Sequence, residues 1–259
     1  MKIGIVGCLG RMGRLLVQEV ARTDGVELSG GVVRKGSDLV GADMGEVFGC
    51  GHGAKITDSK EFLFDFSDVV IDFSSPECML ECVSIASKKC VPLVSGTTGI
   101  DEGGVCGHAK GFPFLWSCNM SFGIALLLKL AETAAASLRG YDVEIQELHH
   151  RSKKDAPSGT ALMLGKAAAR GMEVEFEPHQ HAFGLESHGR RDSAVGFSVA
   201  RGGEVVGDHA VMFLGDGDII ELKHRAIDRG IFVRGAIKAA CWLVGKPAGV
   251  YTMLDVLRA

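Results

Sequence analysis

The sequence lacks the patterns that mark several special classes of protein. Its eight cysteines form no CxxC pair, and its 36 glycines follow no collagen-like or low-complexity period. No internal repeat is visible, which argues against a repeat array. The cysteines are therefore interpreted as mostly small core residues. Cys78 and Cys82 lie one helical turn apart, a spacing that indicates packing more often than metal binding.

Features of membrane and exported proteins are missing as well. No charged leader, long apolar region or cleavage site precedes the strand-like run from Lys2 to Val6. The most apolar helical stretch, from Ile124 to Leu130, contains Lys129 and is too short to span a bilayer. We expect a cytoplasmic protein with no membrane partner.

A large basic surface is also absent. The net charge is −4, the pI is near 6.1, and no basic run occurs outside one central segment, so general nucleic-acid binding is not expected. With 46% hydrophobic and 23% charged residues, the 259-residue chain lies in the globular range and is long enough for one large or two modest domains. Small anionic ligands are the expected partners.

Residues 2–21 predict a strand, a glycine-rich turn and a helix. The turn from Gly7 to Gly13, called the glycine turn below, has the spacing G-x-x-G-x-x-G, with Leu9 where the usual dinucleotide fingerprint has its second glycine. An opening of this kind seats a pyrophosphate on a helix N-terminus. We therefore predict dinucleotide binding at the glycine turn.

The end of the next predicted strand indicates which dinucleotide is used. NAD-preferring sites usually place an acid there to bind the adenosine ribose hydroxyls, whereas this strand ends at Val33 and continues with Arg34 and Lys35. The two cations would pair with a 2′-phosphate, which favours NADPH. The alternative is that both are solvated basic residues in a turn.

Apolar strands alternate with helices up to residue 120, which predicts a parallel sheet covered on both faces. Ligands bind beyond the carboxyl ends of such strands, where residues 74–76, 96–99 and 117–120 would lie. Residues 34–60 are glycine-rich and read as a long loop with a short helix or strand.

The pattern changes in the second half of the chain. Residues 195–200, 205–214 and 218–226 predict strands of a hairpin-linked meander in a second, open sheet. The predicted fold class is α/β, with an N-terminal Rossmann-like dinucleotide-binding domain and an α+β substrate and oligomerisation domain with an open mixed sheet. The expected boundaries are 1–120, rejoined by 229–259, and 121–228.

The densest chemistry lies from Glu147 to Ala161, called the central loop below. It contains two imidazoles and three full positive charges between a strand-like and a helix-like stretch, and catalytic groups collect on such loops. Ser158 is a natural helix cap, which predicts unpaired backbone N–H groups near Ser158, Gly159 and Thr160. These groups would form a seat for a small carboxylate or phosphate.

Two other interpretations of the central loop remain open. One is a solvated basic loop with an ordinary helix cap. The other is a metal site, but adjacent histidines on a strand point to opposite faces, and the zinc-protease spacing on a helix is absent, so His149 and His150 are poor candidates for metal ligands.

Taken together, these segments resemble the dihydrodipicolinate reductase family. The central loop is similar to the family signature E-x-H-H-x-x-K-x-D-A-P-S-G-T-A at every defined position. The Gly-Arg-Met-Gly ending of the glycine turn, Asp72-Phe-Ser, Gly96-Thr-Thr-Gly99 and Asn119 support the resemblance, which covers essentially the whole chain. It implies NAD(P)H-dependent reduction of 4-hydroxy-tetrahydrodipicolinate, through its dehydrated cyclic imine dicarboxylate, to tetrahydrodipicolinate in lysine and diaminopimelate biosynthesis.

The resemblance also implies roles for individual residues, with no metal. His149 and Lys153 would act in proton donation, and His150, Gly159 and Thr160 would hold the substrate. The implied cofactor contacts, to which Arg34 is added, come from Gly7, Cys8, Leu9, Gly10, Arg11, Met12, Gly96, Thr97, Thr98, Ser117, Cys118, Asn119 and Met120.

The resemblance further implies a homotetramer built through the second-domain sheets. Many members carry an acid where Val33 stands here, and this departure puts efficient use of NADH in doubt. Two alternatives remain: a related two-domain dehydrogenase acting on another small carboxylate or aldehyde, and a non-catalytic NADPH sensor. Loss of the histidine–lysine cluster would favour the sensor, and here the cluster is intact.

Overall fold

The computed structural model describes residues 1–50, 53–100, 107, 109–176 and 195–259. These residues divide into two compact units, one of Met1–Met120 with Gly230–Ala259 and the other of Ser121–Arg229. Each unit has its own apolar core and its own sheet.

The strands and helices are numbered in chain order. The strands are β1 Lys2–Val6, β2 Glu27–Val32, β3 Lys55–Thr57, β4 Val69–Asp72, β5 Leu93–Ser95, β6 Pro113–Trp116, β7 Asp142–His149, β8 Val195–Arg201, β9 Gly207–Leu214, β10 Ile219–Ala226 and β11 Gly249–Tyr251. The helices are α1 Arg11–Val20, α2 Met44–Phe48, α3 Lys60–Asp65, α4 Pro76–Lys89, α5 Phe122–Ser137, α6 Gly159–Met172, α7 Gly230–Leu243 and α8 Met253–Leu257.

The first unit contains a seven-stranded sheet in the order β11-β6-β5-β4-β1-β2-β3. Every neighbouring pair is parallel. The central strand β4 reads Val-Val-Ile-Asp and is buried at all four positions, as expected for a parallel strand covered by helices on both faces. The predicted Rossmann-like α/β class is confirmed.

Residues 34–60, where the sequence pattern was weak, contain the short elements α2 and β3. Asp43 caps α2 by accepting a hydrogen bond from Gly45, and Gly49 ends the helix in the left-handed conformation with φ +69°. β3 pairs with β2 and forms one edge of the sheet. Short elements of this kind carry too few residues to show a period.

The second unit contains a four-stranded mixed sheet in the order β10-β9-β7-β8. The prediction of a meander through the last three of its strands is wrong for β8, which pairs parallel with β7 and does not pair with β9. The linking turn passes over the end of β7 instead of closing a hairpin, because Gly202 N–H donates to the His149 carbonyl (2.9 Å) and Arg151 N–H donates to the Gly203 carbonyl (3.1 Å). β9 and β10 do form the predicted antiparallel pair.

The C-terminal end of the chain contains two elements that the sequence pattern does not predict. β11 and α8 were not predicted, and β11 extends the first sheet by pairing with β6. Among the described residues, none of the helices has both the length and the apolar character needed to cross a membrane.

Candidate functional site

The glycine turn of the first unit is fixed by backbone contacts. Gly7 has φ +78°, and the N–H groups of Gly7 and Cys8 both donate to the Val32 carbonyl, at 3.1 and 3.3 Å. A Cβ atom on Gly13 would stand 2.1 Å from the Gly7 carbonyl oxygen, so only glycine lets α1 pack this closely against the turn. Gly10 precedes α1 without a side-chain cap, which leaves the start of this helix to a ligand.

The other predicted residues of the glycine turn differ in exposure. The Cys8 side chain is fully buried, and burial raises the pKa of its thiol to about 11, so this residue could contact a cofactor only through its backbone. Leu9 and Met12 are half-buried, and Arg11 is exposed at the first position of α1.

Arg34 follows the carboxyl end of β2, at the same edge of the sheet. Both Arg34 and Lys35 are exposed, whereas Val33 is buried and donates its N–H to the Thr57 carbonyl at 2.9 Å. Val32, near the end of β2, accepts the hydrogen bonds of the glycine turn. Arg34 and Lys35 follow this strand directly, so they lie near the glycine turn.

The segments after β5 and β6 lie at this edge too, and the buried Asp72 at the end of β4 organises one of them. Its carboxylate accepts hydrogen bonds from the hydroxyls of Ser95 and Thr97, both at 2.7 Å, and from the hydroxyl of Ser74. Burial raises the pKa of Asp72 despite these three donors. The Trp116 indole donates to the Thr97 carbonyl at 3.0 Å, which joins the end of β6 to the same loop.

Thus the structure brings the predicted cofactor residues to one edge of one sheet, at the carboxyl ends of β1, β2, β5 and β6. Thr98 is exposed there and Thr97 is buried. Ser117 donates its hydroxyl to the Asn119 carbonyl at 2.7 Å, so residues 117–120 form a turn, and Met120 is buried. The Asp72-Phe-Ser motif does not by itself reveal the hydrogen bonds of Asp72 to the distant hydroxyls of Ser95 and Thr97.

In the second unit, the central loop begins at the end of β7. His149 is the last residue of this strand and is buried, with 7% of its surface exposed. The Lys153 ammonium contacts both oxygens of the Asp155 carboxylate, each at 2.8 Å. The half-buried His150 places its Nδ1 2.8 Å from the Ser152 hydroxyl.

The structure corrects one part of the anion seat predicted at the start of α6. Ser158 caps the helix by accepting the N–H of Ala161 at 3.2 Å, but its own N–H is not free, because it donates to both oxygens of Glu147, at 3.1 and 3.2 Å. The start of α6 at Gly159 is exposed, and Thr160 is buried. The available part of the seat is therefore centred on Gly159, one residue further along.

A buried charged cluster beneath the central loop was missed by sequence reasoning. The Glu147 side chain is fully buried, and besides Ser158 it accepts from the Arg201 guanidinium at 2.9 Å. Its Oε2 lies 3.4 Å from His149 Nδ1 and 3.8 Å from His209 Nε2. Burial disfavours the charged form, yet Ser158 and Arg201 together hold the pKa of Glu147 below its ordinary value.

The two buried histidines of this cluster have a low proton affinity. Burial lowers the pKa of His149, an effect that Glu147 opposes and that Lys153 and Arg201 reinforce. Burial, with a further contribution from His149, lowers the pKa of His209 to about 4. Both rings are therefore neutral at neutral pH in the ligand-free state.

Two groups of side chains among the described residues bring three metal-ligating atoms together. One is Asp72, Cys78 and Cys82, and the other is Glu147, His149 and His209. Each of the two groups already has a positively charged side chain beside it. The Lys60 ammonium interacts electrostatically with Cys78 and Cys82, and Arg201 forms an ion pair with Glu147. We assign neither group to a metal.

Comparison with known proteins places this architecture in a family. Residues 1–120 match the family described as dihydrodipicolinate reductase, N-terminus, and residues 123–257 match dihydrodipicolinate reductase, C-terminus. The chain is 76% identical over 259 residues to 4-hydroxy-tetrahydrodipicolinate reductase of Anaplasma marginale (strain St. Maries), which covers 100% of both chains. This chain belongs to the dihydrodipicolinate reductase family. Membership makes it an NAD(P)H-dependent oxidoreductase.

A second relative supports this assignment, and solved structures share the fold. The chain is 54% identical to 4-hydroxy-tetrahydrodipicolinate reductase of Ehrlichia ruminantium (strain Gardel) over 99% of this chain and 98% of that one. Among solved structures, dipicolinate-bound dihydrodipicolinate reductase from Paenisporosarcina sp. TG-14 has a TM-score of 0.75 at 23% identity, with 97% of each chain covered. An amine dehydrogenase from Mycobacterium smegmatis reaches 0.68 at 12% identity, covering 97% of this chain and 94% of that one, a likeness of fold alone.

Proposed function

We propose that this protein reduces the cyclic imine dicarboxylate formed by dehydration of 4-hydroxy-tetrahydrodipicolinate, giving tetrahydrodipicolinate for lysine and diaminopimelate biosynthesis. The observation that carries the proposal is the central loop, in which the buried Glu147 connects His149 to the start of α6, and Lys153 pairs with Asp155 of the same loop. The identity of the Anaplasma relative supports the same reaction.

The substrate is a dianion, and the central loop offers it a helix N-terminus and cations. The exposed start of α6 at Gly159 lets a carboxylate approach the backbone closely, and the partial positive charge of the helix favours it. The Thr160 hydroxyl is a further donor type at this end. His150 helps to hold the anion in this proposal, although its contact in the ligand-free state is with Ser152.

Proton supply is the second task of the central loop. The bound dinucleotide supplies the hydride, and its addition leaves negative charge on the conjugated ring, so a proton must come from a fixed donor. A lysine ammonium is charged at neutral pH, and Lys153 needs only to exchange its Asp155 partner for the substrate. His149 is neutral before substrate binds and takes a proton when the dianion raises its pKa.

We propose that NADPH is the preferred cofactor. Arg34 and Lys35 are exposed where a 2′-phosphate would lie if the pyrophosphate occupies the start of α1, and Val33 has no side-chain acceptor for ribose hydroxyls. The glycine turn, Gly96–Thr98 and residues 117–120 supply the remaining contacts from the same edge of the sheet.

We further propose a homotetramer in the cytoplasm. The edge strand β10 exposes apolar side chains, with Ile219 61% and Ile220 37% exposed, which supports an assembly through the second sheet. All seven cysteines in the described part of the chain are free thiols, as is usual in a reducing compartment, while Cys106 lies outside the described residues.

The test is oxidation of NADPH, followed by its absorbance, with freshly prepared substrate and with the same mixture lacking it. Dipicolinate, a planar dicarboxylate, serves as a non-reducible competitor. Substrate-dependent oxidation that dipicolinate inhibits supports the proposal. Binding of NADPH without any turnover would favour the sensor, and turnover only of another carboxylate or aldehyde would favour a related dehydrogenase.

A further inference from the structure

Glu147 is an ionised carboxylate in a place where ionisation is costly. Its side chain is fully buried on β7, and burial alone would favour the neutral acid. Two hydrogen-bond donors keep it charged: the backbone N–H of Ser158, which begins the α6 cap, and the guanidinium of Arg201 at the end of β8. Because burial of an ionised carboxylate is unfavourable, its retention here indicates that the charge of Glu147 has a role.

The position of the Glu147 carboxylate relative to the His149 ring indicates this role. Glu147 Oε2 is 3.4 Å from Nδ1 of His149, and this buried Nδ1 has no hydrogen-bond partner within the described parts of the chain. The other ring nitrogen, Nε2, would lie 3.0 Å from a Cβ atom on Gly207, a position where the chain carries no side chain. The ring therefore presents Nδ1 to a fixed anion, while its Nε2 side packs close to Gly207, where a side chain would crowd it.

We propose that Glu147 is a positioning residue for the reduction: it orients the His149 ring through Nδ1 and stabilises the protonated ring while substrate is bound, and Arg201 holds Glu147 in place for this task. The inference rests on the proposed function, because it assumes that His149 serves the reaction. In the β7–β8 register His149 and Arg201 are direct partners, which places Arg201 beside this cluster.

The other charges around His149 do not replace Glu147. Lys153 on the central loop and Arg201 on β8 both disfavour a positive imidazole, while His209 on β9, whose ring centroid is 5.0 Å away, is neutral at neutral pH. Asp155 on the central loop favours it, but its carboxylate is committed to Lys153. Glu147 is the larger of the two favourable contributions.

This balance gives opposite predictions for two neutral substitutions. Glu147→Gln removes the larger of the two contributions that favour a positive ring, so the histidine should lose its proton at a lower pH, by about one pH unit for an opposite charge at this range. Arg201→Gln removes a cation and leaves the carboxylate, so the change should be in the other direction. A purely structural role for the pair would move both variants in the same direction or move neither.

The experiment measures the His149 imidazole titration by NMR in the full-length protein with dipicolinate bound, in wild type, Glu147→Gln, Glu147→Asp, Arg201→Gln and Glu144→Gln. Glu144 is the matched control, since it lies on the same strand but pairs with Ser198. We expect Glu147→Gln to lower the midpoint, Arg201→Gln to raise it, and Glu147→Asp and Glu144→Gln to stay near wild type. An unchanged midpoint in Glu147→Gln, or equal displacement in both neutral variants, overturns the proposal.

Activity then connects the titration to the reaction. With the substrate named above, the high-pH limb of the kcat profile should move to lower pH in Glu147→Gln and return in Glu147→Asp. A pH-independent loss of kcat in both variants would show that Glu147 only supports the fold. Because the NMR midpoints need no turnover, absence of reductase activity would count against the proposed function without altering the test of Glu147.

Discussion

The glycine turn and the central loop are held in place by opposite means. The glycine turn depends on backbone atoms alone: two N–H groups donate to Val32, and Gly13 packs against the Gly7 carbonyl. The central loop depends on buried charged side chains, with Glu147 linked to Arg201 and to the cap of α6. The first arrangement leaves no room for a Cβ atom at Gly13, and the second depends on the charge of Glu147.

The largest effects on activity are expected from substitutions of the residues proposed to supply the proton. We expect His149→Gln and Lys153→Ala each to lower kcat by at least about a hundredfold, the lower bound for loss of a positioned proton donor. NADPH affinity should stay within about twofold, since neither residue belongs to the glycine turn or its neighbours. Steady-state kinetics and fluorescence titration of NADPH measure the two quantities.

His150→Gln is the contrast within the same loop. Its effect should fall mainly on KM for the dicarboxylate, because its proposed task is binding and not proton transfer. Near-normal kcat in Lys153→Ala, or loss of NADPH binding in His149→Gln, would show that these roles are assigned to the wrong residues.

A side chain at Gly13 should disrupt the backbone packing of the glycine turn. Gly13→Ala places a Cβ atom 2.1 Å from the Gly7 carbonyl oxygen and 2.7 Å from Cys8 Cα, so backbone must move. We expect a loss of stability of about 3 kcal/mol, as in an overpacked core, together with loss of dinucleotide binding. Thermal unfolding and NADPH titration are the measurements.

Gly217→Ala is the matched control for that substitution. A Cβ atom at Gly217 meets no atom within 4 Å, and its φ is outside the left-handed region. Its stability and its NADPH affinity should remain those of the wild type. If Gly13→Ala behaves like Gly217→Ala, the turn is not held by close backbone packing.

The charge cluster predicts a pH dependence of stability that the glycine turn does not. His209 is 4% exposed, and its pKa falls from 6.5 to about 4 on folding, so the unfolded chain binds the proton more tightly. This contribution is complete above pH 6.5 and is lost as the pH falls from there towards 4. Between pH 7 and pH 5 it amounts to about 2 kcal/mol.

Urea unfolding at pH 7 and pH 5 checks this expectation in the wild type and in His209→Gln. The variant should show the smaller loss of stability on acidification, because glutamine does not titrate. Equal losses in both proteins would place the acid-sensitive group elsewhere.

The smallest predicted effect concerns the cofactor. We expect kcat/KM to be roughly tenfold higher with NADPH than with NADH, the value of one charge-assisted contact to the 2′-phosphate. Arg34→Ala should remove most of this preference while leaving the NADH value unchanged. A clear preference of the wild type for NADH would contradict the proposal that Arg34 binds the 2′-phosphate and that Val33 leaves the ribose hydroxyls without an acceptor.

Local patterns were sufficient for the glycine turn and for most elements of the first sheet. The spacing of Gly7, Gly10 and Gly13 and the run Val69–Ile71 each express a short-range constraint that sequence displays directly. Ser158 was recognisable as a cap for the same reason. The resemblance to the family, which rests most specifically on the central loop, is confirmed by the family matches over residues 1–120 and 123–257.

The buried cluster could not be predicted in this way. Glu147 is 54 residues from Arg201, and Ser158 is 51 residues from His209, so their contacts exist only after β8 and β9 have paired with β7. The parallel placement of β8 was missed because the turn after it has the glycines of a hairpin. The hydrogen bond from the Ser158 N–H to Glu147 joins residues only 11 apart, but it depends on how the central loop folds back onto the end of β7, which the sequence pattern does not display.

The most direct test of the account is a paired titration of Lys153→Ala with NADPH and with dipicolinate. The central claim is that the first sheet binds the dinucleotide and that the central loop binds the dicarboxylate. Calorimetry should give an unchanged affinity for NADPH and an affinity for dipicolinate at least about tenfold weaker than in the wild type, the value of one lost charge-assisted contact. Unchanged dipicolinate affinity, or a parallel loss for both ligands, would contradict the claim.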